Sequence, residues 1–255
     1  MNLLKEKIKK GERVLGTLVS LTDPALCEIM GNVGFDAVWI DTEHTYMSYK
    51  EVLCHLNGAR SANISAVVRL PENDPVSTKK ILDMGPDGII FPMVKSKEHA
   101  DALIKSTLYP PLGTRGFGPL RAIGYGKDSA KEYVDERNLD LCRFVQIEHV
   151  DMIDELAEIA KNPYIDGFIF GPNDLSASLD EFLMVFEEKT MSKIKEAISI
   201  LKANGKYVGL AAGASEKEIQ IWSSLGIDML FFGADWGYVY SGAKSTLDLM
   251  KKQFN

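Results

Sequence analysis

The chain has 255 residues, of which 45% are hydrophobic and 25% charged, and its formal net charge is −7. This composition is typical of a soluble globular protein with one large α/β domain or two small ones. The acidic balance argues against nucleic acid and anionic membrane surfaces as partners, because both favour basic patches. No apolar run approaches the roughly 20 residues that a membrane-spanning helix needs.

The cysteines and the start of the chain indicate a reducing compartment. Cys27, Cys54 and Cys142 form no CxxC pair, and their spacing matches neither a zinc site nor a disulfide framework. The first residues, MNLLKEKIKKGERV, lack the apolar segment of a signal peptide. We therefore expect a cytoplasmic protein with reduced thiols.

Short apolar segments alternate with amphipathic ones along the chain. The short segments are rich in β-branched and aromatic residues and are apolar on both faces, which is typical of strands in a parallel sheet. The predicted strands span 14–20, 36–40, 65–70, 87–91, 143–148, 166–170, 207–210 and 228–232. Eight strands alternating with helices predict a single-domain (β/α)₈ TIM barrel over residues 1–255, with a doubly wound open sheet as the alternative.

Local patterns mark the helix starts and one long connection. Asp23-Pro24 and Asp74-Pro75 predict N-caps followed by proline, and Ser48-x-x-Glu51 and Ser215-x-x-Glu218 predict capping boxes. The stretches NVGFDAVWI, DMGPDGIIF, PYIDGFIF and SLGIDMLFF share a turn, an aspartate and a strand. The connection at 109–141 is rich in Gly and Pro, which predicts a lid or a contact surface, with surface decoration as the alternative.

Polar residues follow the predicted strands, and in a barrel the carboxyl ends of the strands carry the chemistry. These residues are Asp41, Glu43, His44, Arg69, Gln146, Glu148 and the turn Gly171-Pro172-Asn173-Asp174. Glu148 and Asp174 end adjacent strands, where two carboxylates repel each other unless a cation such as Mg²⁺ or Mn²⁺ lies between them. His44 is either a third ligand or a general base.

The positions of the lysines and of the remaining histidines restrict the type of reaction and the candidate site residues. A covalent aldolase needs a lysine inside the barrel, and no predicted strand contains one, so a metal-assisted route is favoured. His55 and His99 fall in helical patterns and are predicted to lie on the surface. His149 is predicted to point away from the strand ends.

Six stretches occur in order between about residue 11 and residue 240: GFDAVWIDTEH, VVRLPENDP, ILDMGPDGIIFPMV, YPPLGTRGFGP, VQIE and GFIFGPNDLSASL. In this combination the chain resembles the HpcH/HpaI aldolase family of metal-dependent class II pyruvate aldolases, of the 2-dehydro-3-deoxyglucarate or 4-hydroxy-2-oxoheptanedioate type. The resemblance implies retro-aldol cleavage of a 4-hydroxy-2-oxo acid to pyruvate and an aldehyde. It also implies a barrel whose last helix is exchanged between subunits, in a homohexamer built from dimers.

The resemblance assigns roles to particular residues. Glu148 and Asp174 would hold Mg²⁺, Mn²⁺ or Co²⁺, and Arg69 would stabilise the developing enolate. His44 would be the general base, with Asp83 raising its basicity and Asp41 helping to orient it. The pyruvate unit would be bound by Gln146, Gly171, Pro172, Asn173 and Asp174. The long segment that begins at Tyr109 would pack near the site of a neighbouring subunit.

Departures from the family pattern at positions 18, 42 and 46–47 concern the aldehyde side of the substrate. Leu18 stands where several members carry Trp, Thr42 replaces a frequent Gly, and Tyr46-Met47 follow the histidine. Asn173 occupies a position that is usually Ala or Thr. Two alternatives remain: an acyl-CoA lyase of the citrate lyase β-subunit type, which needs basic contacts for CoA, and a non-catalytic metabolite-binding barrel.

Overall fold

Eight parallel strands close into a barrel in chain order, and the last strand pairs with the first. The structure is a computed structural model that describes residues 2–254. The strands are β1 Val14–Val19, β2 Ala37–Asp41, β3 Ser65–Arg69, β4 Gly88–Phe91, β5 Cys142–Ile147, β6 Gly167–Phe170, β7 Tyr207–Ala212 and β8 Met229–Ala234. The predicted (β/α)₈ barrel is confirmed, and the open-sheet alternative is wrong.

Helices connect the strands and surround the barrel. They are α1 Leu3–Lys9, α2 Ala25–Val33, α3 Tyr49–Ser61, α4 Pro75–Asp83, α5 Lys97–Thr107, α6 Ala130–Glu132, α7 Val150–Ile159, α8 Pro172–Ser178, α9 Glu188–Ala203, α10 Glu216–Ser223 and α11 Asp235–Phe254. The Asp74 carboxylate accepts the Val76 N–H at 2.7 Å and so caps α4. Ser215 and Glu218 form the predicted capping box of α10.

An aspartate before each even-numbered strand fastens the preceding strand at the amino-terminal end of the barrel. Asp36 accepts the Leu15 N–H at 2.9 Å through its carboxylate, and its own N–H donates to the Leu15 carbonyl. The same pair of bonds joins Asp87 to Ala66, Asp166 to Arg143 and Asp228 to Val208. The repeated turn–aspartate–strand pattern of the sequence therefore encodes strand pairing.

Apolar side chains fill the barrel from the amino-terminal end. Leu4 of α1 is buried against an inner cluster that includes Trp39, Phe144 and Phe231. A second, larger cluster lies between the strands and the surrounding helices. The amino-terminal half is packed with side chains, and the open space of the barrel lies at the carboxyl ends of its strands.

The long connection lies at the amino-terminal end of the barrel. It contains the 3₁₀ turn Gly124–Gly126, α6 and a π turn at Tyr133–Arg137. Arg121 donates to the Leu56 and Gly85 carbonyls, which fixes the segment over the ends of α3 and α4. Within one chain this segment is therefore not a lid over its own strand ends, because it joins α5 to the start of β5 at the opposite side.

Helix α11 leaves the barrel instead of packing along it. Asp235, at its first position, is fully buried and accepts the N–H groups of Ser20 and Leu21. The rest of the helix is largely exposed, and Leu15, which points outward from β1, is 50% exposed. The outer face of β1 is therefore left partly uncovered. Among the helices of residues 2–254, none is long and apolar enough to cross a membrane.

Candidate active site at the mouth of the barrel

The carboxyl ends of the strands surround a cavity of about 840 Å³. Nine of the ten site residues predicted from the sequence line it: Asp41, His44, Arg69, Gln146, Glu148, Gly171, Pro172, Asn173 and Asp174. The tenth, Asp83, does not. These side chains follow several different strands, so only the closed barrel brings them together.

Two carboxylates clamp the guanidinium of Arg69 at the mouth. Asp41 and Arg69 are paired in register at the ends of β2 and β3, and Asp41 accepts from Nε at 2.9 Å and also from Nη2. Oε2 of Glu43 lies 2.9 Å from Nη1. Burial lowers the pKa of Arg69, but the hydrogen bond to Asp41 and the charges of Asp41 and Glu43 outweigh it and raise the pKa. The side chain stays cationic and its direction is fixed.

Trp39 forms the floor beneath this arginine. The Arg69 Cζ lies 5.2 Å from the centroid of the Trp39 ring, in cation–π geometry. The edge of Phe231 packs against the same indole at a centroid distance of 5.4 Å. Sequence reasoning assigned Trp39 only to an apolar strand; its inward position two residues before Asp41 is the signal that would have placed it at the site.

Asp41 orders the turn that carries His44 rather than the imidazole itself. Its Oδ1 accepts the backbone N–H groups of Glu43 at 3.0 Å and His44 at 3.5 Å. The His44 side chain is 66% exposed, and its Nε2 lies 3.9 Å from Oε2 of Glu43. The expectation that Asp41 orients the imidazole is therefore corrected: Asp41 fixes the backbone of the turn, and Glu43 lies between Arg69 and His44.

Glu148 is a buried carboxylate without a cationic partner of its own. Its two oxygens accept the Gln146 amide N–H at 2.7 Å and the Met93 N–H at 2.8 Å. Burial, with the charges of Glu43 and Asp174, raises its pKa from 4.5 to about 7, against the opposing Met93 bond and Arg69. Such a carboxylate is stabilised by any cation that reaches it.

The residues around Glu148 fit a divalent cation. Asp174 lines the same cavity, and the Oε1 atom of Gln146 is buried with no hydrogen-bond partner. A Cβ on Gly171 would lie 2.6 Å from Oε1 of Glu148, so only glycine leaves room for that carboxylate. Among residues 2–254, no three His, Cys, Asp or Glu side chains form a metal cluster. A pair of carboxylates suits Mg²⁺, which keeps several positions for water and substrate.

Asp83 is the one predicted site residue that the structure places elsewhere. It ends α4, at the amino-terminal end of the barrel, and Oδ1 accepts from Arg115 Nη2 at 2.7 Å. His44 follows the carboxyl end of β2, and a strand of five residues separates the two ends by roughly 15 Å. The expectation that Asp83 acts on His44 is therefore not met within one chain.

Only some of the positions that depart from the family pattern line the cavity. Leu18 and Tyr46 line the cavity, together with Leu21 and with Trp236 and Tyr238 of α11. Thr42 and Met47 do not. The Thr42 hydroxyl donates to the Arg69 carbonyl, and Met47 packs against the outer core.

Two of the remaining histidines are structural. His55 was predicted on the surface, but it is fully buried, with its ring nitrogens 2.8 Å from the Glu51 carbonyl oxygen and 3.0 Å from that of Leu21. It therefore ties α3 to the loop after β1. His149 caps α7 by accepting the Asp151 N–H, away from the cavity as predicted.

The chain is similar to known proteins over most of its length. The family model of the HpcH/HpaI aldolase/citrate lyase group matches residues 15–218. The chain belongs to this family. It is 31% identical to a hydroxypyruvate/pyruvate aldolase of Deinococcus radiodurans, over 92% of this chain and 84% of that protein. It is 32% identical to a 4-hydroxy-2-oxovalerate aldolase of Novosphingobium aromaticivorans, over 92% and 89%.

The fold comparison extends over nearly the whole chain. The crystal structure of an HpcH/HpaI aldolase/citrate lyase family protein from Burkholderia cenocepacia J2315 superposes with a TM-score of 0.92 at 25% identity. The match covers 98% of this chain and 100% of that one. The resemblance seen in the sequence is therefore confirmed at the level of the family and the fold.

Proposed function

We propose that this protein is a divalent-metal-dependent pyruvate aldolase, a carbon–carbon lyase. It cleaves a 4-hydroxy-2-oxo acid to pyruvate and an aldehyde and catalyses the reverse aldol addition. The observation that carries the proposal is the buried, cation-deficient Glu148 beside Asp174 and Gln146, in one cavity with the clamped Arg69 and the exposed His44. The names of the curated relatives support the reaction class.

Glu148 and Asp174 would hold Mg²⁺, Mn²⁺ or Co²⁺, which when bound polarises the 2-oxo group as a Lewis acid. Gln146 keeps the Glu148 carboxylate in place through its amide N–H. Asn173 lies in the first turn of α8, where backbone N–H groups lack partners within the helix and can bind the substrate carboxylate. These residues orient the pyruvate unit against the wall of the cavity.

Arg69 and His44 move charge and protons. His44 takes the proton of the C4 hydroxyl, and the C3–C4 bond then breaks. The electron pair of that bond remains with the pyruvate unit. Arg69, which is itself buried, offsets the negative charge that develops on the 2-oxo oxygen. A proton then adds to C3 to give the methyl group of pyruvate, and the aldehyde leaves.

Chelation tests the proposal. EDTA should abolish both cleavage and the exchange of pyruvate methyl protons for deuterium, followed by NMR, and Mg²⁺, Mn²⁺ or Co²⁺ should restore both. Full activity after chelation would contradict the proposal. Trapping of a pyruvate adduct by borohydride would point to a lysine route instead.

We propose that α11 is exchanged between two copies in a homohexamer built from dimers. The helix carries exposed apolar side chains, among them Tyr240, Leu249 and Phe254. Leu15 on the outer face of β1 is half exposed where a barrel usually has a covering helix. The α11 helix of a second copy has the length and apolar surface to cover this face.

We further propose that Asp83 and the segment at 109–141 complete the site of a neighbouring copy. Asp83 is bound to Arg115 of this segment and its side chain is 24% exposed, so its second oxygen can reach another chain. Mixing inactive His44→Ala chains with inactive Asp83→Asn chains should restore part of the activity, because some sites then contain both native residues. No recovery in mixed oligomers, verified by mass spectrometry, would show that Asp83 does not act across chains.

The state of the cysteines bears on the cellular compartment. We propose that the protein works in the cytoplasm. Its three cysteines, Cys27, Cys54 and Cys142, are all free thiols, and two of them are buried. Free thiols are typical of proteins in a reducing compartment.

A further inference from the structure

We propose that the aldehyde partner of this enzyme is uncharged and carries a short apolar chain, rather than a second carboxylate. The inference rests on the proposed function and concerns the part of the cavity beyond His44. It follows from the charges and the wall residues of that region.

Within one chain, the cavity offers no free cation to a second carboxylate. Within residues 2–254, its lining contains one arginine, Arg69, and no lysine. Asp41 and Glu43 engage all three nitrogens of that arginine. Glu148 and Asp174 line the same mouth, and under the proposed function their charges are balanced by the divalent cation that they would hold. A carboxylate on the aldehyde would therefore lose its hydration without gaining a cationic partner from this chain.

The walls beyond His44 are apolar and aromatic. Leu18 and Leu21 come from the end of β1 and the loop after it, and Trp236 and Tyr238 from the first turn of α11. The Tyr238 hydroxyl is occupied, because it donates to the Phe232 carbonyl at 2.8 Å and lies 2.8 Å from the Thr17 hydroxyl. Tyr238 therefore offers its ring, rather than a free hydrogen-bonding group, to a ligand.

Small residues adjoin these walls and line the same cavity. Ala211 and Ala212 end β7, and Ala234 of β8 is paired in register with Leu18. An alkyl chain of a few carbons can lie against these walls within the cavity of about 840 Å³, where its burial is favourable. The shape and polarity of the region thus match an alkanal.

The bond-forming step needs no further reactant. The pyruvate methyl carbon loses a proton and bonds to the aldehyde carbonyl carbon. The aldehyde oxygen takes up a proton and becomes the C4 hydroxyl. The charge on the aldehyde chain does not enter this balance, so it affects only binding and orientation.

Butanal and succinic semialdehyde form a matched pair of substrates, because both have four carbons and differ in a terminal methyl or carboxylate. With pyruvate and Mn²⁺, we expect kcat/KM for butanal to exceed that for succinic semialdehyde by about tenfold or more, from the unpaired carboxylate. Product mass identifies each adduct. Exchange of the pyruvate methyl protons, measured without aldehyde, reports on the proposed function separately.

A substitution at Tyr46 can place a positive charge at the rim of the cavity. It lines the cavity and is 79% exposed, so its substitution is compatible with folding. Tyr46→Arg should shift the preference toward succinic semialdehyde by at least several-fold, and the neutral control Tyr46→Gln should not. Each variant is normalised to its own rate of pyruvate exchange.

The outcomes separate the two hypotheses. Preference for butanal, reduced by Tyr46→Arg alone, supports the inference. Normal exchange together with equal or better use of succinic semialdehyde by the unaltered protein overturns the inference and leaves the proposed function standing. Absence of exchange in the metal-loaded protein overturns the proposed function, and the inference with it.

Discussion

Replacement of Glu148 by glutamine should stabilise the metal-free protein and abolish its activity. Folding raises the pKa of this carboxylate from 4.5 to about 7, chiefly through burial. Each pKa unit corresponds to about 1.4 kcal/mol, so the ionised side chain costs the metal-free protein about 3 kcal/mol at pH 8. In a chain of this size that difference corresponds to a shift of roughly 6–12 °C in Tm.

The pH dependence has a definite sign. Between pH 4.5 and about 7 the folded protein retains a proton that the unfolded chain has released. The contribution of Glu148 to stability is therefore fully present below pH 4.5 and is lost as the pH rises through about 7. A divalent cation should restore the loss at high pH, because it binds the ionised carboxylate of the folded state.

The amide introduced by Glu148→Gln can keep the local hydrogen bonds of the carboxylate. Its oxygen can accept the Met93 N–H, and its nitrogen can donate to the unpartnered oxygen of Gln146 after the Gln146 amide turns over. Thermal unfolding in EDTA from pH 5 to pH 8 measures the effect, with Mg²⁺ binding by calorimetry alongside. Parallel stability curves for the unaltered protein and Glu148→Gln would refute the assignment of the cost to this carboxylate.

Two further substitutions test other parts of the site. Arg69→Ala should lower kcat by about 100- to 1000-fold, because one electrostatic donor to the developing charge is lost. Calorimetry should still detect metal binding in this variant. Near-normal turnover would show that Arg69 has no part in the mechanism. Gly171→Ala should weaken Mg²⁺ binding by about tenfold or more, because the added Cβ would lie 2.6 Å from Oε1 of Glu148. Gly213→Ala is the control for Gly171→Ala, because a Cβ added at Gly213 meets the carboxylate of the partly exposed Glu218 instead. An equal loss of Mg²⁺ affinity in both variants would contradict the argument.

The barrel could be predicted because its signals are local. Each strand is a short apolar run, and the boundaries of all eight are found within two residues of the predicted ones. The caps at Asp74 and Ser215 involve partners two or three residues away. Once the strands are known, parallel closure alone brings their carboxyl ends together, which is why nine predicted site residues share one cavity.

Other features depend on contacts between distant parts of the chain. The helical pattern around His55 gives no sign of the Leu21 carbonyl, 34 positions away, that accounts for its burial. Trp39 reads as an ordinary core residue until the closed barrel places Arg69 above its ring. The position of Asp83 follows from the direction of α4, and its predicted partner lies at the other end of the barrel.

The four carboxylates of the site have two different environments. Asp41 and Glu43, at the end of β2, are paired with Arg69, whereas Glu148, after β5, and Asp174, on α8, form no ion pair among the described residues. Asp41 and Glu43 are both engaged by Arg69, and that arginine lowers the pKa of Glu148 too little to outweigh the effect of burial. Burial, followed by the charges of Glu43 and Asp174, raises the pKa of Glu148, and such a carboxylate favours a doubly charged cation. We therefore propose that one ion-pair network sets both the cation preference and the polarity of the aldehyde.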